Sequence, residues 1–215
     1  MKLNVGIVGT GWVSDEYIKA FGANPHTTVT AICGTQVAKA EAKAAQHGLT
    51  GVAAFSDYDR FLAESGVDIV VIVTPNHLHA EQAIKAANAK KHLVIEKPLA
   101  TRWSDMKRMQ EAVHANGVKT IVGFVLRWNP LFETAKELVR NGAIGEPFYA
   151  EFDYLHAITP DYNCYEWSRH GEPGGSILQV GGCHAVYGLR WFMREEPTEV
   201  VALSSRFRDD FEQDT

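Results

Sequence analysis

The chain has 215 residues, of which 46% are hydrophobic and 22% charged, and its formal net charge is −5. That length fits one large domain or two smaller ones of ordinary globular composition. An acidic balance with no stripe of lysine and arginine argues against nucleic acid as a partner, and no apolar run is long enough to cross a bilayer.

The start, MKLNVGIVGTG, enters a strand pattern directly, without the charged lead and long apolar region of a cleavable secretory signal. The three cysteines, Cys33, Cys164 and Cys183, are odd in number and far apart. Both features lead us to expect a cytoplasmic protein with reduced thiols.

In chain order, LNVGIV at 3–8 is a short apolar strand that ends in glycines, and 13–23 reads as a helix stopped by Asn24-Pro25. VTAIC at 29–33 is a second strand, and the Ala/Lys/Glu-rich stretch 37–47 is a helix ended by His47-Gly48. VAAF at 52–55 is a weak strand, followed by a short helix at 57–64 for which Ser56 is placed as the cap. VDIVVIV at 67–73 is the most hydrophobic strand; a helix at 79–89, a strand at 92–96, a helix at 104–115 and a strand at 119–124 follow. Strands that are continuous apolar runs, alternating with helices, predict a parallel sheet covered on both faces. The fold class expected is therefore α/β, with a Rossmann-type domain over 1–124.

After Arg127 the pattern changes. A helix is expected at 130–140. PFYAEFDYLH, 147–156, reads as a long alternating strand with Phe148, Ala150, Phe152 and Tyr154 on one face. A loop rich in Tyr, Pro and Gly covers 157–175, a helix with several glycines 176–193, and a last strand 200–205. Residues 125–215 thus read as an incomplete α+β domain with an open sheet.

GTGWVS, residues 9–14, lies between the first strand and the first helix as G-x-G-x-x-S. Gly9 permits the tight turn, Gly11 lets backbone approach a pyrophosphate, and Ser14 is small enough for close helix packing. Thr10, Trp12 and Val13 complete a cradle at the helix N-terminus. A plain tight turn would use the same residues, but the strand–turn–helix setting favours a dinucleotide. At the end of the second strand, where an acid would hold a ribose hydroxyl in NAD enzymes, the chain has Cys33-Gly34-Thr35-Gln36. With no carboxylate there, and with Thr35, Gln36 and Lys39 able to hold a 2′-phosphate, the cofactor reads as NAD or NADP, leaning to NADP.

VIEKPLA, 94–100, carries a lysine just beyond the carboxyl end of a strand, where open α/β sheets bind ligands. The alternative reading is a plain surface lysine. A free amine, with a pKa of about 10.4, is a poor base at neutral pH; burial and a neighbouring cation would tune it. Pro98 fixes the exit and is a candidate for a cis bond.

Together, GTGWVS, TPNHLHA at 74–80 and VIEKPLA resemble the glucose–fructose oxidoreductase / inositol dehydrogenase / rhizopine-catabolism (Gfo/Idh/MocA) family over residues 1 to about 205. The resemblance implies an N-terminal Rossmann domain, a C-terminal α+β domain with a large open sheet, and oxidation or reduction of sugars and polyols with NAD(P). It places Lys97 beside the nicotinamide and the reacting carbon, with Glu96, Thr74, Pro75 and Asn76 as further cofactor contacts. His77 and His79 are two apart at a strand–helix junction, not spaced as a helical ligand pair, and no metal is expected.

GGCHAVYGLRWF, 181–192, resembles the family's second signature, a helix with Asp, then His one turn on, and often Asp three residues further. His184 matches the histidine, as a substrate-hydroxyl contact or general acid/base; read without the resemblance it is a core histidine. Val180 and Tyr187 stand where the acids would be. Gln179, five residues back, would lie about 140° around an α-helix and cannot simply substitute. Arg127, Trp128, His156 and Tyr162 are further pocket candidates, with domain packing the alternative for the aromatics.

The expected function is hydride transfer between nicotinamide and a hydroxyl carbon of a sugar, polyol or related compound, with Lys97 as proton carrier. The missing acid keeps a second reading open: a catalytically silent NAD(P)- or sugar-binding sensor or partner protein. The chain reads as truncated within its second domain. Its expected partners are a small-molecule substrate, neither nucleic acid nor membrane, and a second copy, as a dimer through the C-terminal sheet.

Overall fold

The computed structural model describes residues 2–212. The chain divides into two compact units between Gly123 and Phe124.

The first unit is built on β1 (Leu3–Val8), β2 (Thr27–Cys33), β3 (Ala53–Phe55), β4 (Ile69–Ile72), β5 (His92–Ile95) and β6 (Thr120–Val122). Its helices are α1 (Val13–Ala23), α2 (Val37–Gln46), α3 (Tyr58–Glu64), α4 (His79–Asn88) and α5 (Trp103–Asn116). All strand pairs are parallel, in the order β3-β2-β1-β4-β5-β6. This is the doubly wound order, whose strand direction of progression reverses between β1 and β4.

The continuous apolar runs have a direct cause. Along β1 and β4 alternate residues serve two different cores: Val5, Ile7, Val71 and Val73 pack with Ile18 of α1 and Ala40 and Ala44 of α2. Val8, Val70 and Ile72 pack on the other face with Phe61 of α3, Ala83 of α4 and Met109 of α5. A strand buried on both faces cannot afford a polar residue in either row.

The register aligns the strand ends. Val8 pairs with Cys33 and with Ile72, Ile72 with Ile95, and Ile95 with Val122. Each of the next residues, Gly9, Gly34, Val73, Glu96 and Gly123, therefore leaves the sheet along one edge.

Element bounds match the sequence reading within a residue or two, apart from the cap of α3. There the side chain of Asp57, not Ser56, accepts the N–H of Arg60 at 2.9 Å. The helix begins at Tyr58, so the residue before it holds the capping position; Ser and Asp suit that role equally well.

The second unit contains α6 (Pro130–Arg140), the single turns α7 (Tyr165–Ser168) and α8 (Gly171–Gly174), a π-helical turn (Leu178–Gly182) and α9 (Cys183–Met193). The side chain of Asn129 caps α6, with Pro130 at its first position. The strands expected at 147–156 and 200–205 are not formed among the described residues. An alternating pattern makes a strand only where a neighbouring strand supplies the ladder, and two short strands alone are marginal. The residues of the expected apolar row part company instead. Phe152 packs on Phe192 of α9 with ring centroids 5.4 Å apart, and Tyr154 stacks on His184, while Phe148 is 98% exposed. No helix among the described residues is long and apolar enough to cross a membrane.

Candidate functional site

The glycine loop turns sharply off β1. Gly9 has φ +112°, and a Cβ built there would lie 2.7 Å from the carbonyl oxygen of Val73. Its N–H donates to Cys33 O at 2.8 Å, which carries the loop across the edge towards β2. Around Gly11, by contrast, a Cβ would meet nothing within 4 Å. Ser14 is fully buried and donates its hydroxyl to Gly11 O at 2.6 Å, locking the loop onto the first turn of α1. Thr10 closes against Gly34, where a Cβ would lie 2.9 Å from the Thr10 methyl. Trp12, Thr35, Gln36 and Lys39 are exposed, and Val13 opens α1. An open space over Gly11 at a helix N-terminus has the shape and polarity that a pyrophosphate requires, so these residues fit a dinucleotide.

Two more loops leave the same edge. After β4, Thr74 donates its hydroxyl to Gln82 Oε1 at 2.6 Å, Pro75 is half-buried, and Asn76 is buried in a 3₁₀ turn that leads into α4. After β5, Lys97 is half-buried and the Lys97–Pro98 peptide bond is cis.

Glu96 is held from two sides. Its Oε1 accepts the hydroxyl of Tyr17, from α1, at 2.8 Å, and its Oε2 accepts the backbone N–H of Lys97 at 2.9 Å. Burial raises its pKa against these two donors and against the charge of Lys97. Gly123 leaves room for the pair: a Cβ there would lie 2.5 Å from the Tyr17 oxygen. Tyr17→Phe removes one donor from a buried carboxyl and should cost about 1–3 kcal/mol in urea unfolding. A carboxyl whose folded pKa is raised contributes stability below its ordinary 4.5 and loses it as pH rises through the folded value. Without Tyr17 that value rises further, so the loss should be larger at pH 8 than at pH 5. An equal loss at both would mean that Glu96 does not titrate.

In the second unit, His184 lies in α9 among aromatic rings. Tyr154 stacks on it with centroids 5.2 Å apart, and Phe124 meets it edge-on at 5.8 Å. Phe124 also stacks on Tyr187 at 4.5 Å. From Tyr154 the rings continue to His156 at 5.8 Å and from His156 to Tyr162 at 5.7 Å. Four of the residues expected at a pocket, His184, Tyr187, His156 and Tyr162, thus join one aromatic wall. Arg127 and Trp128 gather elsewhere, about Trp191. The Arg127 guanidinium lies 5.6 Å from the Trp128 ring and 4.8 Å from that of Trp191. With Glu133, Lys136 and Glu137, Arg127 and Trp191 line an open pocket of about 370 Å³.

The turn before His184 is not the α-helix that the spacing assumed. With the π-helical turn across Leu178–Gly182, hydrogen bonds run to the fifth residue and Gln179 is no longer 140° from His184. Gln179 is engaged locally with Ser176. Its Oε1 accepts the N–H of Ser176 at 2.9 Å, and its own N–H donates to Ser176 Oγ at 3.2 Å, a reciprocal cap. The glycines tolerated here also have a reason, since a Cβ on Gly181 would press on the Tyr154 ring at 3.1 Å.

Residues 3–124 match the family model described as an oxidoreductase family with an NAD-binding Rossmann fold, and 132–215 match the GFO/IDH/MocA C-terminal domain. The chain belongs to the Gfo/Idh/MocA oxidoreductase family.

Among its relatives, it is 33% identical to a levoglucosan dehydrogenase of Pseudarthrobacter phenanthrenivorans over 95% of the chain and 54% of that protein. It is similar in structure to an aldose-aldose oxidoreductase of Caulobacter crescentus complexed with glycerol. That match has a TM-score of 0.87 and 29% identity and covers 100% of this chain and 65% of that one. A third is the WlbA dehydrogenase of Bordetella pertussis in complex with NADH and UDP-GlcNAcA, with a TM-score of 0.78 and 30% identity, covering 89% and 58%. The chain spans about half the length of the curated relatives it matches.

The sequence reading missed Tyr17, Phe124 and Tyr154. Tyr17 and Glu96 are 79 residues apart, and no spacing rule links them. Tyr154 was visible as a large ring in an alternating row, but its partner His184 was not.

Proposed function

We propose that the chain is an NAD(P)-dependent oxidoreductase that acts on a CH–OH group of a sugar, polyol or related compound. The observation that carries this reading is the single sheet edge shared by the glycine loop, the Thr74–Asn76 loop and Lys97. The relatives described above, dehydrogenases and oxidoreductases of sugars, support the same reading.

In this reading the backbone of Gly9, Thr10, Gly11, Trp12 and Val13 receives the pyrophosphate. Gly34 and Thr35 face the adenosine ribose, and Thr74, Pro75, Asn76 and Glu96 border the nicotinamide end. When bound, the nicotinamide supplies the hydride acceptor, or the donor in the reverse direction. Lys97 Nζ takes the hydroxyl proton as the carbinol becomes a carbonyl, and returns it in reduction. His184 holds a substrate hydroxyl, and Tyr187, His156 and Tyr162 give its ring faces to stack on. Arg127 and Trp128 are further substrate contacts in this reading. An exposed β2 end with no acid favours NADP over NAD.

Val180 and Tyr187, in place of the family's acids, support a second reading, a catalytically silent NAD(P)- or sugar-binding sensor. One further part of the proposal is a homodimer through the C-terminal unit, which the near-complete exposure of Phe148, Leu155 and Leu203 supports.

Titration of NADPH and NADH by energy transfer from the tryptophans, followed by turnover on a panel of sugars and polyols, tests the scheme. NADPH should bind at least as tightly as NADH, and a tenfold preference for NADH, about 1.4 kcal/mol, would refute the NADP assignment. Binding with no turnover on any substrate would establish the silent reading.

A further inference from the structure

His79 is the first residue of α4 and is fully buried. Its Nδ1 lies 2.8 Å from Pro98 O and its Nε2 2.8 Å from Thr74 O. The two carbonyls belong to different loops. One is the residue after Lys97; the other begins the loop that follows β4. A buried histidine that only filled the core would have no reason to reach both.

We propose that His79 is a positioning residue that clasps the lysine loop to the Thr74–Asn76 loop, so that the reach of Lys97 is set by the loop that borders the nicotinamide. This rests on the proton-carrier role given to Lys97 above. A neutral imidazole donates from one nitrogen, an imidazolium from both. One bond is enough, because His79 is already tied to Thr74 by five residues of chain, and an Nδ1–H donated to Pro98 O completes the link. Burial, with the charges of His77 and Lys97, pushes the ring towards its neutral form, while the two carbonyls pull the other way.

The far side of each loop is anchored too. Gln82 Oε1 accepts the Thr74 hydroxyl, and its backbone carbonyl accepts the hydroxyl of Tyr58 at 2.8 Å. Glu96, on the other flank of Lys97, is held by Tyr17. The lysine is therefore bracketed, with Tyr17 of α1 acting before it and His79 of α4 after it.

The test compares His79→Leu, which keeps bulk and loses the donor, with His79→Asn, which keeps a donor near the place of Nδ1. Amide exchange should rise about tenfold at 74–78 and 99–101 in the leucine variant and stay unchanged in β4 and β5, with asparagine restoring protection. In turnover, kcat of the leucine variant should fall about tenfold while KM for the dinucleotide moves less than about threefold. The clasp is overturned if exchange at 99–101 does not change, if it rises evenly through the strands, or if asparagine fails to rescue it. Should the leucine variant fail to fold, the ¹⁵N shift of His79 in the unaltered chain decides. A protonated Nδ1 is expected, and a bare one overturns the proposal. The exchange and shift measurements do not need turnover, so they judge the clasp even if the chain proves catalytically silent.

Discussion

Lys97→Ala is expected to lower kcat by about 10²–10⁴-fold, the usual worth of a positioned proton carrier, and to leave the Kd of the dinucleotide within about threefold. The substitution is clean for structural reasons. The bond that orients Glu96 uses the backbone N–H of residue 97, which alanine keeps. The clasp from His79 uses the carbonyl of Pro98. Neither depends on the lysine side chain, so both bonds persist in the variant, while loss of the Lys97 charge pushes the Glu96 carboxyl further up. Lys97→Arg sharpens the test. A guanidinium keeps the charge but does not give up its proton in a protein, so arginine should be as inactive as alanine if the proton matters, and partly active if only charge does. Near-native kcat in the alanine variant on a turned-over substrate would remove Lys97 from the chemistry.

The first unit was legible because its physics is local. Strands buried on two faces show themselves as unbroken apolar runs, and β4 with its flanks is the clearest of them. The glycine loop was readable from its setting, because Gly9 and Gly11 follow a strand and open a helix. What stayed hidden there was contact at long range. Nothing in the spacing joins Tyr17 to Glu96, or assigns His79 to two backbone carbonyls; seen as one of two nearby histidines, it invited only a question about metal. The cap of α3 shows a smaller limit, because Ser56 and Asp57 are both good caps and the first helical residue decides between them.

The second unit was less legible, because a strand depends on its neighbours and a helix rotation depends on its turn. Residues 147–156 carry a strand's alternation but pair with nothing in the described chain. Their rings find α9 instead, where Tyr154 meets His184. The 140° that separated Gln179 from His184 on paper assumed an α-helix; the π turn changes that angle. In that turn Gln179 engages Ser176.

The two glycines of the loop should respond to alanine in opposite ways. Gly9→Ala is expected to destabilise the first unit by roughly 3–5 kcal/mol, in the range reserved for core damage. Its φ of +112° lies well outside what a side-chain-bearing residue adopts, at a cost of about 1–3 kcal/mol. The new Cβ would also stand 2.7 Å from Val73 O and 2.9 Å from its carbon, both backbone atoms. Neither strand can easily yield. Val73 N–H donates to Val8 O at 2.9 Å, and Gly9 N–H to Cys33 O at 2.8 Å, so a shift on either side breaks the edge of the sheet. Gly11→Ala places its Cβ in open space with no positive φ, and should leave the unfolding midpoint nearly unchanged, within about 0.5 kcal/mol. That same space is where the pyrophosphate is proposed to lie, so the affinity for NADPH should fall about tenfold or more, at least about 1.4 kcal/mol. Denaturant unfolding and fluorescence titration on both variants separate the roles. A Gly9→Ala chain as stable as the parent would mean that the turn can open away from Val73. A Gly11→Ala chain that binds NADPH normally would move the phosphates off the start of α1, and with them the reason for placing the nicotinamide beside Lys97.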